Sequence, residues 1–259
     1  MSAIAGNLAF LDLRGTNRVP LSRLVRVELR KMADTRAGMW LLIGVCAITA
    51  ATVSIVAATA DPSDRTFTTF MAAVAIPQQF VLPVLGILLI TSEWTQRTAL
   101  VSFTLEPARV RLVGAKIAAA LLFGLGAVVV ALIVATAATA VVGNDAAWET
   151  VTADAIGRFA LLQATSILEG LAFGLVFLNS AGAIATYLIV PTAFGILSSF
   201  WQALDEVAPW IALNRATGPL LEAEALSGEE WAQLGVTSVI WIALPVAVGL
   251  FQVLRREVK

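Results

Sequence analysis

The chain has 259 residues, of which 59% are hydrophobic and 14% are charged. A soluble domain usually carries about 25% charged residues, and the charges here are segregated, which leaves long uninterrupted apolar runs. Such runs exclude a soluble fold and match the ~20 residues that a helix needs to cross a bilayer. They also exclude a β-barrel, whose strands would alternate over ~10 residues. The sequence therefore predicts an all-α membrane protein with a single transmembrane domain over residues 1–259.

The first segment, residues 1–37, is basic and is predicted to be a cytoplasmic tail ending in an amphipathic helix from Leu21 to Arg36. Apolar residues recur at helical spacing on one face of this helix: Leu21, Val25, Leu29 and Met32. Arginines occupy another face: Arg23, Arg26 and Arg30. This pattern is typical of a helix that lies in the membrane interface. Contact with a cytoplasmic partner is the alternative interpretation.

Six apolar segments follow within residues 38–259, and we predict that they form a six-span core. The predicted spans are Met39–Ala60, Phe67–Thr91, Ala115–Val142, Ala155–Leu178, Ala181–Trp201 and Leu234–Leu254. The fourth and fifth spans are divided by the turn residues Asn179, Ser180 and Gly182. The connection from Ala203 to Gln233 contains Pro, Gly and Trp residues, which predict short re-entrant helices on the outer side before the last span.

The basic residues predict how these spans are oriented. Of the 17 Lys and Arg residues, 14 lie in residues 1–37, in residues 92–116 or in the tail that follows the last span. Cytoplasmic segments carry the excess of Lys and Arg, so both termini are predicted to be cytoplasmic. Arg outnumbers Lys 14 to 3, which we interpret as the coding bias of a GC-rich bacterial genome. The predicted location is therefore the bacterial plasma membrane, as a multi-pass protein.

The cytoplasmic loop over residues 92–116 is amphipathic. Leu100, Phe103 and Leu105 alternate there with charged residues such as Glu93 and Arg97. From this pattern alone, contact with a partner protein and a plain interfacial connector both remain open.

Several segments of the chain resemble the type-2 ATP-binding-cassette (ABC) permease family. In that family, the loop after the second span reads Glu, a few polar residues, Gly-Thr, a hydrophobic turn, Pro-x-Arg and a Lys that opens the third span. The matching segments are Glu93-Trp-Thr-Gln-Arg-Thr98, Leu105-Glu-Pro107, Arg109, Lys116, Leu178-Asn-Ser-Ala-Gly-Ala183 and Ala208-Pro-Trp-Ile-Ala-Leu213. With the amphipathic helix, the resemblance covers about residues 20–255. The sequence departs from the family at Arg97, where Gly is usual, and at Leu178, where Arg is frequent.

The resemblance implies the permease subunit of an exporter. Two such subunits pair, with a homodimer expected and a heterodimer as the alternative, and two copies of a cytoplasmic ATPase bind ATP and Mg. A coupling helix over about Glu93–Leu105 would contact that ATPase. The implied roles are polar contacts for Glu93 and Arg97, apolar anchors for Phe103 and Leu105, and capping or orienting the helix for Thr98. Besides these proteins and the lipid bilayer, no nucleic acid partner is implied.

The chain contains no Gly-x-x-x-x-Gly-Lys-Ser/Thr phosphate-binding loop. It is therefore not expected to hydrolyse ATP itself or to bind a cofactor. It also has no His and a single Cys46 in an apolar run, which leaves few groups for catalysis or for a metal site. A membrane enzyme or a non-transport scaffold is accordingly the least favoured function.

Glu169 is the only charged residue deep within a predicted span. Intramembrane acids are candidates for function, and Gln163 and Ser166 extend a polar stripe along the same helix. Contact with a substrate in a translocation path is one interpretation, and a structural hydrogen bond between helices is the other. A proton- or ion-coupled carrier that uses Glu169 is the alternative function. The apolar composition favours a hydrophobic or amphipathic substrate.

Two further patterns concern helix packing within the spans. Gly170 and Gly174 form a Gly-xxx-Gly motif, which we interpret as a site of close helix contact. Four prolines lie within predicted spans and are expected to kink them: Pro77, Pro83, Pro191 and Pro245.

Overall fold

The structure is a computed structural model that describes residues 19–144, 146–149, 151–222 and 225–255. Over these residues every regular element is helical. The α-helices are α1 Leu21–Asp34, α2 Arg36–Thr59, α3 Phe67–Thr95, α4 Ala99–Leu105, α5 Arg109–Val142, α6 Ala153–Phe177, α7 Ser180–Phe200, α8 Gln202–Ile211, α9 Leu213–Ala216, α10 Gly228–Ser238 and α11 Leu244–Arg255. The predicted tail over residues 1–18 and the basic residues Arg256 and Lys259 lie outside the described residues.

Six helices in the described part of the chain are long and apolar enough to cross a membrane, as predicted. They are Arg36–Thr59, Phe67–Thr95, Arg109–Val142, Ala153–Phe177, Ser180–Ser198 and Gly228–Arg255. The third helix begins before its predicted start at Ala115, and the sixth begins before Leu234. Both extensions are amphipathic or polar turns that a hydropathy criterion leaves out of the span.

The predicted turn between the fourth and fifth spans is confirmed. Helix α6 ends at Phe177, and the next residue, Leu178, adopts the left-handed conformation with φ of 49°. The Asn179 side chain then accepts a hydrogen bond of 2.9 Å from the backbone N–H of Gly182. This bond satisfies one of the free donors at the start of α7.

Helices α3 and α6 form the centre of the bundle. In the most apolar stretch of each of these two helices, 67% of the residues are buried, compared with 6% in α2 and in α7. The two central helices approach closely because Gly170 on α6 leaves no room for a side chain: a Cβ there would overlap the backbone of Pro83. A Cβ on Gly174 would lie 3.1 Å from the Ile87 carbonyl oxygen. The packing role predicted for the Gly-xxx-Gly motif is confirmed.

The prolines are accommodated in different ways. Pro77 and Pro83 lie within α3, and Pro191 lies within α7. Pro245 follows a π-helical segment, Val239–Ala243, which joins α10 to α11. Because proline has no N–H to donate to the preceding turn, the helix widens there instead of ending.

The connections lie at two opposite ends of the bundle. At one end, Arg111 donates to the Val19 carbonyl oxygen at 2.7 Å, and Arg109 donates to that of Val253 at 2.6 Å. These two hydrogen bonds bring together the start of α1, the loop around α4 and the end of α11. We call this end of the bundle the basic end. At the other end Asn144 donates to the Pro62 carbonyl oxygen at 2.7 Å.

Short helical elements occupy the connection before the last span: α8, α9 and a 3₁₀ turn over Gly218–Leu221. They pack against the end of the bundle opposite α4. The Arg158 side chain of α6 anchors this segment by donating to the Glu222 carbonyl oxygen at 2.8 Å.

Candidate functional site

Four charged residues form a cluster at the basic end, which we call the ionic cluster: Glu28, Lys31, Glu93 and Lys116. Lys116 Nζ lies 2.7 Å from Glu28 Oε2 and 3.4 Å from Glu93 Oε2. Lys31 Nζ lies 2.8 Å from Glu28 Oε1 and 2.7 Å from Glu93 Oε1. Each ammonium group therefore contacts both carboxylates, and the cluster joins α1, α3 and α5.

The ionic cluster is largely removed from solvent. The side chains of Glu28 and Lys116 are 2% and 5% exposed. Burial alone would lower the pKa of Lys31, but the Glu28 and Glu93 carboxylates outweigh it and hold that pKa above its ordinary value. The two positive and two negative charges compensate one another. Lys116 also donates to the Leu89 carbonyl oxygen at 2.9 Å, so its ammonium group has three acceptors nearby: this oxygen and the two carboxylates.

Glu93 was predicted to make a polar contact with the ATPase, which requires an exposed side chain, but the structure buries it. It is only 6% exposed, and its carboxylate turns inward to the ionic cluster. Glu93 Oε1 also accepts a 2.8 Å hydrogen bond from the Ser102 hydroxyl group of α4. Glu93 therefore positions α4 against the bundle and does not form part of its outer surface.

Helix α4 is shorter than predicted, because α3 continues to Thr95 and a turn separates the two helices. Thr98 occupies the residue before α4, but its side chain makes no capping hydrogen bond to the helix. Of the two roles suggested for Thr98, capping is therefore not observed, and orienting the helix stays a prediction. The Thr98 hydroxyl group instead donates weakly to the Glu93 carbonyl oxygen at 3.5 Å.

Arg97 lies in this turn with φ of 58°. This is the left-handed region, which costs about 1–2 kcal/mol for a residue with a Cβ and which glycine adopts freely. The Arg97 side chain is exposed, and its role as a polar contact stays a prediction.

Arg97→Gly is expected to preserve the fold and to raise the free energy of unfolding by up to about 1 kcal/mol, because glycine relieves the left-handed strain. The measurement is thermal unfolding of the purified chain in detergent. Arg26→Gly, in the middle of α1, is the control and is expected to lower stability. Equal destabilisation by both substitutions would contradict the assigned turn.

Phe103 also faces inward, unlike the exposed anchor that the sequence suggested. Its ring packs edge-on against Trp94 with centroids 6.0 Å apart. The Arg109 guanidinium group lies over the Phe103 ring, 4.7 Å from its centroid. Phe103 therefore fixes α4 to the bundle.

The exposed apolar face of α4 comprises Leu100, Val101 and Leu105, which are 52%, 58% and 75% exposed. Leu105 is thus in the predicted position, whereas Leu100 and Val101 were not assigned as anchors. Val101 and Leu105 are one turn apart on the same side of α4, and Leu100 is exposed beside them. Phe103 lies one turn from Leu100, so spacing along the helix does not separate it from the exposed residues; its inward position depends on its contacts with Trp94 and Arg109.

A second candidate site is a cavity of about 360 Å³ that Glu169 lines, which we call the Glu169 cavity. Ser166 also lines it and donates to Gln79 Oε1 at 2.6 Å. Gln163 does not line it: its side chain is fully buried and donates to Gln78 Oε1 between α6 and α3. The polar stripe on α6 therefore divides into an internal packing residue and two cavity residues.

Comparison with protein-family models and with curated proteins finds no match to this sequence. The fold and the two candidate sites thus define a multi-pass helical membrane protein, and its function is argued from the sites themselves.

Proposed function

We propose that the chain is the permease subunit of an ATP-driven exporter of the ABC class. A separate cytoplasmic ATPase subunit, present in two copies, binds ATP and Mg and docks on α4. The exported substrate is hydrophobic or amphipathic. This proposal adopts the resemblance of residues 93–116 to type-2 permeases and the geometry of α4.

The observation that carries the proposal is that α4 is attached to the bundle by its inner side and exposes apolar side chains on its outer side. Its inner side is fixed by the Ser102–Glu93 hydrogen bond and by the Phe103 ring. Its outer side presents three large apolar side chains next to the exposed Arg97. An apolar patch with a charged rim is typical of a protein interface. Because Glu93 also contacts α1 and α5 through the ionic cluster, force applied to α4 would reach three helices at once.

The basic end is proposed to be cytoplasmic, because it gathers most of the Lys and Arg residues. In a Cys46→Ala background, a cysteine at Ser63 is expected to react with a membrane-impermeant maleimide in intact cells. A cysteine at Thr104 is expected to react only after permeabilisation. Ser63 and Thr104 are both exposed, so burial does not explain a difference. Labelling of the position 104 cysteine in intact cells would reverse the orientation.

Pairing of two permease subunits in the bacterial plasma membrane is part of the proposal. Helices α2 and α7 are little buried within one chain (6% each), so their apolar faces are available to lipid or to a second subunit. A homodimer is the simplest arrangement, and a heterodimer with a similar permease is the alternative.

A proton- or ion-coupled carrier is the second candidate, and the Glu169 cavity is the observation that favours it. Nucleotide dependence separates the two functions. In inverted membrane vesicles, an ABC exporter is expected to accumulate substrate only with hydrolysable ATP, and an uncoupler of the proton gradient should leave uptake unchanged. Uptake that needs the proton gradient and not ATP would support the carrier instead.

A further inference from the structure

The Glu169 cavity has the size and position of a small-molecule site. It lies where α3, α6 and α7 meet α9 and the 3₁₀ turn Gly218–Leu221. Its volume of about 360 Å³ falls within the roughly 300–1,000 Å³ typical of ligand pockets. Large apolar side chains with substantial exposure surround it: Phe80, Leu188 and Leu221.

The cavity carries one uncompensated acidic group. Glu169 is the only Asp or Glu among the residues that line it, and none of the described lining residues is Lys or Arg. Within the described part of the chain, the Glu169 carboxylate receives no hydrogen bond and forms no ion pair. A carboxylate inside a membrane domain is costly unless a partner compensates it. The ionic cluster shows the compensated arrangement elsewhere in this chain.

The hydroxyl groups around Glu169 already donate their hydrogens to other acceptors and do not donate to Glu169. Five of them line the cavity: Thr165, Ser166, Tyr187, Thr192 and Thr217. The three Thr hydroxyl groups donate to backbone carbonyl oxygens one turn earlier in the chain. The Ser166 hydroxyl has two acceptors within reach, the Leu162 carbonyl oxygen and Gln79 Oε1, and Tyr187 donates to the Gln79 carbonyl oxygen at 3.2 Å. A hydroxyl group has one hydrogen to donate and two lone pairs. The oxygen atoms that remain free here are therefore acceptors.

The supply of free donors is correspondingly small. Gln79 Nε2 is buried and has no hydrogen-bond partner among the described residues, and the Asn214 amide group lies at the exposed side of the cavity. A site with one carboxylate, many acceptors and few donors selects a ligand that brings positive charge and N–H donors. The apolar side chains around it select a ligand with an apolar body.

We propose that the Glu169 cavity binds a lipophilic ammonium ion, with Glu169 as its counter-ion. The inference rests on the proposed function, since it takes the cavity as part of the transport route and assigns the substrate class. A primary or secondary amine satisfies the site better than a quaternary ion, because only the former brings N–H donors.

Three compounds with one apolar body test this proposal: 1-aminoadamantane, 1-adamantanol and 1-adamantanecarboxylate, which are cationic, neutral and anionic at neutral pH. Their binding to the full chain in phosphatidylcholine nanodiscs is measured by calorimetry. The amine is expected to bind saturably and most tightly. Glu169→Gln should weaken amine binding by about tenfold to a hundredfold, as expected for a lost charge-assisted hydrogen bond. Glu169→Asp should retain most of it.

Two further variants separate a binding defect from misfolding. Asn214→Trp places bulk at the exposed side of the cavity and leaves Glu169 unchanged, and it should also block amine binding. Glu206→Gln removes an exposed acid that does not line the cavity, and it should leave binding unchanged. Equal binding by the wild type and Glu169→Gln, or tighter binding of the carboxylate than of the amine, would overturn the proposal.

Because this measurement uses no ATPase and no nucleotide, its failure is distinguishable from failure of the proposed function. Loss of the cation site leaves ATPase docking on α4 intact. Conversely, a chain that binds the amine but never associates with an ATPase keeps the cation site and loses the exporter assignment.

Discussion

Lys116→Met is expected to lower the free energy of unfolding by about 3–5 kcal/mol, the range for removing one partner from a buried ion pair. The substitution removes the ammonium group that contacts both Glu28 and Glu93. Lys31 then faces two buried carboxylates alone, and it is itself partly exposed (39%). The uncompensated charge should separate α1 and α5 from the end of α3.

A second substitution within the ionic cluster should reverse the loss of stability caused by Lys116→Met. The double variant Lys116→Met/Glu28→Gln restores charge balance and should recover most of the lost stability. Arg30→Met is the matched control, because its ion pair with Asp34 is exposed at 81% and 61% and such pairs contribute about 0–1 kcal/mol. Thermal unfolding in detergent, followed by tryptophan fluorescence, is the measurement. A similar small loss for Lys116→Met and Arg30→Met would contradict a buried, mutually dependent cluster.

Gly170→Ala is expected to destabilise the bundle by about 1–3 kcal/mol or more, as overpacking of a tight core does. The added Cβ would overlap the backbone of Pro83. Backbone atoms cannot rotate away as a side chain can, so the added methyl group must push α3 and α6 apart. These are the two most buried spans, so the effect should reach the whole bundle.

Gly126→Ala is the control for Gly170→Ala. A Cβ on Gly126 in α5 has no neighbouring atom within 4 Å, and alanine is a better helix former than glycine. This variant should therefore be neutral or slightly stabilising. The comparison uses the fraction of monodisperse protein after solubilisation and its thermal transition. If both variants behave like the wild type, the close contact between α3 and α6 is wrong.

The spans and the main helix contact could be predicted from the sequence, because both depend on local features. Apolar length identifies a membrane helix wherever it packs. The Gly170–Gly174 spacing places both glycines near one face of α6, and the face that lacks side chains is the one that allows close approach. The amphipathic helix α1 was equally visible, since Leu21, Val25 and Met32 recur at helical spacing.

The inward orientation of Glu93 and Phe103 could not be predicted, because it depends on residues distant in the chain. Glu93 meets Lys31 and Lys116 only after α1 and α5 pack beside α3. Exposed and buried charges look alike in a loop sequence, and an aromatic residue among polar neighbours fits an outer anchor as well as an inner one. The left-handed turn at Arg97, which delays the start of α4 until Ala99, has no local signal in this sequence.

The central claim is that an ATPase docks on α4, and photocrosslinking in native membranes tests it most directly. A photoreactive benzoylphenylalanine replaces Leu105, the most exposed apolar residue of α4, and a second variant carries it at Ser63 at the opposite end. Adducts of the tagged chain are identified by mass spectrometry. We expect the Leu105 adduct to be a protein with a Gly-x-x-x-x-Gly-Lys-Ser/Thr phosphate-binding loop, and we expect Ser63 to give no such adduct. If position 105 reacts only with lipid, or if position 63 captures the ATPase, the account is contradicted.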